Sequence, residues 1–433
     1  MQAEIVIISN APGELAAWVR PVVSELGRCD PQLRLTIALV PCPYASGREA
    51  ETLRSWNSDL TVWTPQQTLR YLLMGKAPEG YRAGRIGVVL FLGGDQLFGV
   101  LLARRLGFPL LVYTETVGRW ASFVDRFLLS DRTSYLAMRG RRVPPAKVIL
   151  VGNLMVDSVK LRRTPHETRQ GLGLAADTMV IGLLPGSKPF KVLYVTPFLL
   201  RVAELLYSQD SSLQFILQQS PFTTIAQLER AISDPRYATA TGGTTGRMQL
   251  EGNQLWIVTP KGCAVRIIPP EYQYDGMAVA DLALTVPGTN TAELAILGVP
   301  QVVVLPLNKP EEIPLEGIIG QLGSLPLVGP WLKRQVIAYL VRHVGLVALP
   351  NRRLGRMATP ELIGVLSPEE VACRAAELLQ DDFRRRQIKL ELLQAMGYPG
   401  AASAIADVVG EVLAGYGVDL PSEVVRRSRD ASG

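Results

Sequence analysis

Residues that commonly bind metals are scarce in this sequence. Its 433 residues include four cysteines, which lie far apart with no CxxC spacing, and only two histidines. This cysteine usage argues against a disulfide framework and against a zinc site. Two histidines are too few for a histidine-rich centre. We therefore expect a protein without a metal site.

Long apolar runs are also absent. No uncharged apolar run reaches the roughly 18 residues of a membrane span, because glycines and prolines interrupt the longest candidate, Gly317–Leu332. The N-terminus contains Glu4 and has no basic leader, so it does not resemble a signal peptide. The sequence thus predicts a soluble, cytoplasmic protein.

The formal net charge of +6 comes from arginine, but the arginines form short scattered clusters. A nucleic-acid binder more often has one basic stripe with interleaved aromatics, so we expect no nucleic-acid partner. Most of the clusters are explained as solvated faces. Phosphates or an acidic membrane surface are the more specific alternatives.

Short apolar runs alternate with helical stretches along the chain. Near-continuous apolar runs are typical of strands in a parallel sheet that helices cover on both faces. The pattern predicts an α/β protein with two Rossmann-like, doubly wound domains. The predicted strands are Glu4–Ser9, Leu35–Val40, Leu60–Trp63, Ile86–Leu92, Leu110–Tyr113, Phe127–Leu129, Val148–Val151, Met179–Leu184, Leu213–Leu217, Val265–Ile268, Leu282–Val286 and Gln301–Leu305.

The polar stretch after the first strand series marks a domain boundary. We expect an N-terminal domain, a linker with a capping box at Thr164 and Glu167, a C-terminal domain, a helix that can pack back on the N-terminal domain, and a disordered tail. These parts span residues 1–160, 161–177, 178–398, 399–421 and 422–433.

Two strand-to-helix turns can bind an anion. The sequence IGLLPGSK ends at Lys188 and offers backbone N–H groups beside a lysine. It lacks the Walker A spacing, and an ordinary turn is at least as well supported. The second turn, in TVPGTNTAEL, puts Thr289 and Asn290 at a helix start with Glu293 one turn later. A diphosphate with its ribose, or simply an N-cap and a first-turn charge, fits equally well.

Two carboxylates follow strands of the first domain. Asp95 comes after Gly93 and Gly94 at the end of a predicted strand, and Glu14 follows Pro12 and Gly13. A carboxylate at such a strand end can take a proton from an acceptor hydroxyl. Asp95 can equally cap the helix that follows it, and Glu14 can complement a helix dipole.

Five stretches resemble the lipid-A-disaccharide synthase family of two-domain (GT-B type) glycosyltransferases, which has its site in a cleft between facing domains. The second turn is similar to that family's nucleotide-sugar turn. The others are Val89–Trp120, Val151–Ser158 (VGNLMVDS), LLPGSK, and Val347–Ile363 (VALPNRRLGRMATPELI). The resemblance extends from Ile5 to about Leu413.

This resemblance implies roles for individual residues. Asp95 matches the catalytic base, with Glu14 in reserve. Nucleotide-sugar binding falls to Gly186, Ser187, Lys188, Gly288, Thr289, Asn290, Glu293, Asn351 and Arg356, the last two after a predicted strand over Leu346–Leu349. The acceptor side departs from the family, because SNAPGE replaces its GEASGD loop and Asn153 replaces its histidine; Asn10, Gly13 and Asn153 lie there. Lys188 likewise replaces an arginine.

We therefore predict an inverting, metal-independent glycosyltransferase without a cofactor, which moves a sugar from a UDP-sugar to a lipid-linked or amphiphilic acceptor. A UDP-sugar 2-epimerase and a non-catalytic nucleotide-sugar or lipid-binding protein are the alternatives. The apolar segment Ile313–His343 predicts peripheral association with anionic lipid at the inner membrane face. Burial of that segment in the core is nearly as well supported.

Overall fold

The computed structural model describes residues 3–418 except 43–44, 46, 48, 57–58, 187, 221–222 and 309–344. The chain divides into two compact units, Met1–Ser158 with Gly397–Gly433, and Val159–Met396. Three of the predictions above fall outside the described residues: the role of Ser187, the membrane contact of segment 313–343, and the disordered tail at 422–433.

The first unit contains a parallel sheet of seven strands in the order β3-β2-β1-β4-β5-β6-β7. Their apolar side chains are buried on both faces in two clusters, as the continuous apolar runs predict. The strands are β1 (Glu4–Ser9), β2 (Arg34–Leu39), β3 (Thr61–Trp63), β4 (Gly87–Phe91), β5 (Leu110–Thr114), β6 (Arg126–Leu129) and β7 (Val148–Leu150).

Helices connect these strands. A π-helix over Leu15–Val19 lies between the first two helices, α1 and α2. The helices are α1 (Pro12–Glu14), α2 (Arg20–Cys29), α3 (Glu49–Trp56), α4 (Pro65–Met74), α5 (Gln96–Leu106), α6 (Arg132–Gly140), α7 (Leu154–Ser158) and, at the C-terminus, α17 (Ala401–Ala414). Alanines and aliphatic residues of α17 belong to the apolar cluster that includes α2. Asp157 fixes the start of α17 by accepting hydrogen bonds of 2.6 Å from the backbone N–H groups of Gly400 and Ala402.

The second unit has eight strands in the order β10-β11-β12-β9-β8-β13-β14-β15. β9, β8, β13, β14 and β15 are parallel, and β12 joins them in parallel while pairing antiparallel with the hairpin β10–β11. The strands are β8 (Val180–Leu184), β9 (Gln214–Gln218), β10 (Arg247–Glu251), β11 (Gln254–Val258), β12 (Ala264–Ile268), β13 (Leu282–Thr285), β14 (Gln301–Pro306) and β15 (Glu361–Gly364). Both units are Rossmann-like, which confirms the predicted fold class.

Helices flank this sheet as well. They are α8 (Pro165–Leu172), α9 (Pro189–Gln209), α10 (Ile225–Ser233), α11 (Pro235–Thr241), α12 (Gln273–Ala278), α13 (Thr289–Ile296), α14 (Leu349–Leu354), α15 (Pro368–Gln380) and α16 (Asp382–Met396). The predicted capping box is present in α8, because Thr164 accepts from the N–H of Glu167 and the Glu167 carboxylate accepts in return from the N–H of Thr164.

The structure differs from the prediction in one domain boundary and in one strand. Residues 161–177 do not form a separate linker, since Leu172 and Leu174 are buried in the core of the second unit. No strand forms over Leu346–Leu349; residues 345–347 have no regular structure, and α14 begins at Leu349. The strand of this region is β15, which pairs with β14 at the sheet edge.

Candidate functional site

In the first unit, Glu14 lies at the carboxyl ends of the neighbouring parallel strands β1 and β4. Its carboxylate accepts a 3.4 Å hydrogen bond from the N–H of Ala11. A methyl group added at Gly93 would collide with this carboxylate in its present position, so the glycine leaves room for the Glu14 side chain to lie there. Open α/β sheets place functional groups at this edge.

Burial raises the pKa of Glu14 above its ordinary value. The backbone N–H groups of Ala11, Gly94 and Asn10 stabilise the anion and oppose this effect. The π-helix Leu15–Val19 follows directly, and such segments are frequent at functional sites. Glu14 thus combines a raised pKa with an unusual local backbone.

Unpaired polar atoms surround this carboxylate. Within the described part of the chain, the buried Ser9 Oγ and Asn10 Oδ1 have no hydrogen-bond partner. Ser9 Oγ would lie 3.0 Å from a methyl group on Gly93, and the Asn10 amide lies against Gly94. Buried polar atoms are rarely left unsatisfied, so a ligand hydroxyl is a suitable partner here.

Asp95 caps the helix that follows it. Its Oδ1 accepts a 2.8 Å hydrogen bond from the N–H of Leu97, and its Oδ2 lies 3.1 Å from Nη2 of Arg119. The Leu97 N–H, followed by Arg119, lowers the pKa of the carboxyl below its ordinary value, and about half of the side chain is exposed. Asp95 is therefore ionised at neutral pH. The cap is present, and a role as base stays a prediction.

Asn153 begins the short helix α7. Its Oδ1 accepts a 3.2 Å hydrogen bond from the N–H of Met155, whereas its buried Nδ2 has no partner among the described residues. Gly13, the remaining residue predicted for the acceptor side, is exposed within α1, and a side chain there would enter open space. Asn153 thus offers a free donor, whereas Gly13 is not required sterically.

In the second unit, two turns lie side by side after the paired strands β8 and β13, which align Leu184 with Thr285. Gly186 has a φ of 92°, and a methyl group there would lie 2.9 Å from Cγ2 of Val286. Gly288 has a φ of 154° with a ψ of −164°, a region essentially restricted to glycine. Both turns therefore need their glycines.

The helices that follow these turns begin without a side-chain cap. Lys188 and Gly288 occupy the N-cap positions of α9 and α13, and neither makes a capping hydrogen bond. Among the described helices of eight residues or more, six others have such a cap, whereas α2 and α17 also have an N-cap residue without a capping hydrogen bond. The capping residues are Thr64, Asp95, Asp131, Thr164, Thr224 and Ser367. An uncapped helix N-terminus exposes N–H groups to an anion.

Glu293 lies one turn into α13, where it accepts a 3.3 Å hydrogen bond from the hydroxyl of Tyr274. Burial raises its pKa to about 7, against the opposing effect of the Tyr274 hydrogen bond. This carboxyl therefore holds its proton more tightly than an exposed glutamate does. Thr289 is exposed and Asn290 partly exposed at the start of the same helix.

Lys191, three residues beyond Lys188, was not among the predicted site residues. Its Nζ donates a 2.7 Å hydrogen bond to the carbonyl of Pro287, so the side chain spans from one turn to the other. Lys188, by contrast, is exposed. The one sequence signal for Lys191 is its place in the first turn of the helix after PGSK.

The structure corrects the prediction for Asn351. This residue is fully buried, and its amide is used within the fold: Nδ2 donates to the carbonyl of Thr359 and to Glu361, while Oδ1 accepts from the N–H groups of Ala358 and Thr359. No hydrogen-bonding group of Asn351 remains for a donor sugar. Its role is to hold the loop between α14 and β15.

Arg356 is engaged on another helix. Its Nη1 lies 2.8 Å from Oε2 of Glu391 on α16. About half of the side chain is exposed, so a ligand would have to share the guanidinium with this carboxylate. A role in donor binding stays a prediction for Arg356.

Curated proteins of similar sequence share one name. The chain is 30% identical over 263 residues to the lipid-A-disaccharide synthase of Syntrophus aciditrophicus, an alignment that covers 60% of this chain and 56% of that protein. It is 28% identical over 371 residues to the lipid-A-disaccharide synthase of Nitrosococcus oceani, covering 82% and 79%. The chain is a divergent relative of the lipid-A-disaccharide synthases. No protein-family model matches it.

This relative of the lipid-A-disaccharide synthases has the same fold as two solved structures. A UDP-N-acetylglucosamine 2-epimerase aligns with a TM-score of 0.52 at 14% identity, over 98% of this chain and 99% of the other. The UDP-GlcNAc 2-epimerase of Neisseria meningitidis, bound to UDP-GlcNAc, aligns with a TM-score of 0.51 at 14% identity, over 94% and 99%. At this identity the likeness establishes the two-domain fold alone.

No described helix of this lipid-A-disaccharide synthase relative is long and apolar enough to cross a membrane. The same residues contain no group of three or more His, Cys, Asp or Glu side chains arranged to hold a metal ion.

Proposed function

We propose that this protein is a glycosyltransferase that moves a sugar from a UDP-sugar to a hydroxyl of a lipid-linked or otherwise amphiphilic acceptor, with inversion at the anomeric carbon. The observation that carries the proposal is the pair of uncapped helix starts after β8 and β13, each entered through a glycine with positive φ. The shared name of the similar proteins and the UDP-GlcNAc bound to a structural neighbour support it.

The donor diphosphate would lie against the N–H groups at the starts of α9 and α13, because a helix N-terminus stabilises negative charge. Gly186 and Gly288 let the backbone approach it, and Ser187, Lys188, Thr289 and Asn290 surround it. Glu293 would accept a hydrogen bond from a ribose hydroxyl. Arg356 would add positive charge.

On the acceptor side, Asp95 would remove the proton of the acceptor hydroxyl as its oxygen attacks the anomeric carbon. The bond between that carbon and the diphosphate oxygen breaks, and UDP leaves with the bonding electrons. The charge that develops on UDP is stabilised by the helix N-termini. Asn10, Gly13 and Asn153 line the acceptor position in this scheme. Glu14 is the alternative base.

We propose that the reaction needs no metal and no cofactor, since the UDP-sugar is a substrate. We also propose that the protein acts in the cytoplasm at the inner membrane face. Incubation with EDTA tests the first point, since turnover should persist after dialysis against the chelator. A loss that Mg²⁺ or Mn²⁺ restores would contradict it.

The direct test offers the purified protein a panel of UDP-sugars together with a membrane lipid extract. We expect UDP release only when both are present, together with a new glycolipid detected by mass spectrometry. Conversion of the UDP-sugar to its 2-epimer without extract would instead identify an epimerase. Binding without turnover would identify a non-catalytic protein.

A further inference from the structure

The Lys191 side chain connects the two turns of the candidate donor site. It belongs to the first turn of α9, and its Nζ donates to the carbonyl of Pro287 in the turn before α13. Its aliphatic part packs on Gly186, since Cδ would lie 3.3 Å from a methyl group there. The ammonium group is thereby held at the turn that leads into α13.

This ammonium lacks a counter-charge. It has three N–H donors, but the described residues provide one acceptor, the Pro287 carbonyl, and no carboxylate within ion-pair distance. The charged neighbour that acts on it is Lys188, whose repulsion adds to burial in lowering the pKa of Lys191 to about 8. Burying a cation without an anion is costly.

Three partly buried arginines of the second unit are paired with carboxylates, whereas the buried Arg266 of β12 donates to the carbonyl of Leu255 and has no ion pair among the described residues. Arg163 pairs with Asp275, Arg169 with Asp281, and Arg201 with Glu204, at 3.0 to 3.3 Å. Lys191, like Arg266, has no paired carboxylate, and it lies where two helices expose uncapped N–H groups. The cation and the N–H groups together are suited to an anion with several oxygens.

We propose that Lys191 binds the diphosphate of the nucleotide and supplies the positive charge that stabilises it as a leaving group, with the exposed Lys188 in a lesser role. This inference rests on the proposed function and extends it to a residue that the sequence did not indicate. The bound diphosphate takes the place of the missing carboxylate, and the Pro287 hydrogen bond orients the ammonium towards it.

Isothermal titration of the full chain with UDP, uridine and pyrophosphate tests the inference. Lys191→Met keeps the aliphatic packing on Gly186 and removes the charge. We expect it to weaken UDP and pyrophosphate binding about tenfold to a hundredfold, as for loss of a charge-assisted hydrogen bond, and to leave uridine binding unchanged. Lys188→Met should weaken UDP and pyrophosphate binding less. Lys261→Met, at an exposed lysine of the same unit, should leave both affinities unchanged.

The pH dependence separates a charge from a structural brace. Between pH 7.5 and 9.5 the wild-type affinity for UDP should fall, by at most about tenfold per pH unit, as free Lys191 loses its proton. Lys191→Arg stays charged over this range, so its UDP affinity should be nearly constant.

Equal losses for UDP and uridine in Lys191→Met, accompanied by a lower melting temperature, would overturn the inference and make Lys191 a brace. So would a loss no larger than that of Lys261→Met. A wild-type protein that does not bind UDP would contradict the proposed function instead, and pyrophosphate binding that depends on Lys191 would in that event still support the diphosphate site.

Discussion

Arg119 pairs with the carboxylate of Asp95, with 3.1 Å between Nη2 and Oδ2, while Oδ1 of Asp95 caps α5. The N–H of Arg119 in turn donates a 2.7 Å hydrogen bond to Oε1 of Gln96, the first residue of α5. The segment after β5 is thus tied to the start of α5. Asp95 is therefore ionised, oriented and still about half exposed.

Asp95→Asn should lower turnover about 100-fold or more, the usual effect of losing a general base. Folding and UDP affinity should stay nearly unchanged, because asparagine caps helices as well as aspartate does. Steady-state kinetics and titration with UDP measure the two effects.

Asp131→Asn is the matched control for this variant. Asp131 follows β6 and caps α6 through the N–H of Ser134 at 2.7 Å, so its substitution changes a cap of the same kind. If both variants keep wild-type turnover, Asp95 is a helix cap and the base is another residue.

The pH profile discriminates between Asp95 and Glu14 as the base. The pKa of Asp95 is lowered and that of Glu14 is raised. With Asp95 as base, the acid limb of kcat/KM should lie below the ordinary aspartate pKa of about 3.9, and Glu14→Gln should retain turnover. An acid limb above the ordinary glutamate pKa of about 4.3, with an inactive Glu14→Gln, would instead identify Glu14.

Strand positions could be predicted because burial on both faces of a parallel sheet demands a continuous apolar run. β1 has the predicted bounds, and β8 and β13 differ from them by one residue. The same dependence on burial explains why β15 was not predicted. Its residues are only partly buried at the sheet edge, so Glu361–Gly364 has no such run.

Side-chain roles depend on tertiary contacts that local sequence does not encode. Asn351 resembles a donor contact in the motif, but the loop that returns to β15 uses its whole amide. Lys191 looks like any lysine in a helix until the neighbouring strand puts the Pro287 carbonyl beside it. For Asp95 the sequence allowed two roles, helix cap and catalytic base. The structure shows the cap, and the role as base stays a prediction.

Association with membranes is expected from the apolar segment over residues 313–343, which lies outside the described residues. The protein should sediment with liposomes that contain anionic lipid, and less so as salt is added, because basic residues contribute about 1 kcal/mol each near such a surface. Combined Trp331→Ala and Leu332→Ser substitutions should reduce pelleting.

Leu73→Ser with Met74→Ser is a suitable comparison, since these two side chains are 79% and 67% exposed at the end of α4. If only the variant with Leu73→Ser and Met74→Ser pellets less, the membrane contact lies in the first unit. No pelleting at low salt would contradict membrane association altogether.

Glu293→Ala should weaken UDP binding by about 1–3 kcal/mol through loss of a hydrogen bond to the ribose. Calorimetry with UDP and with pyrophosphate separates this contact from the diphosphate site, since pyrophosphate has no ribose and should bind unchanged. Tyr274→Phe, which removes the 3.3 Å partner of Glu293, should have a smaller effect. Equal losses for the two ligands would argue against a ribose contact.

Glu293 should also make stability depend on pH. Its pKa of about 7 in the folded protein exceeds the ordinary value of about 4.3 in the unfolded chain. The folded state therefore holds its proton more tightly, and stability falls as the pH rises from about 4 to 7. Glu293→Gln mimics the neutral acid, so it should match the wild type near pH 4.5 and be more stable by about 1–3 kcal/mol at pH 8. Urea unfolding at both pH values measures the difference. Glu167→Gln is the control of opposite sign, because the N–H of Thr164 lowers the pKa of Glu167, and a destabilised Glu293→Gln at pH 8 would contradict the buried acid.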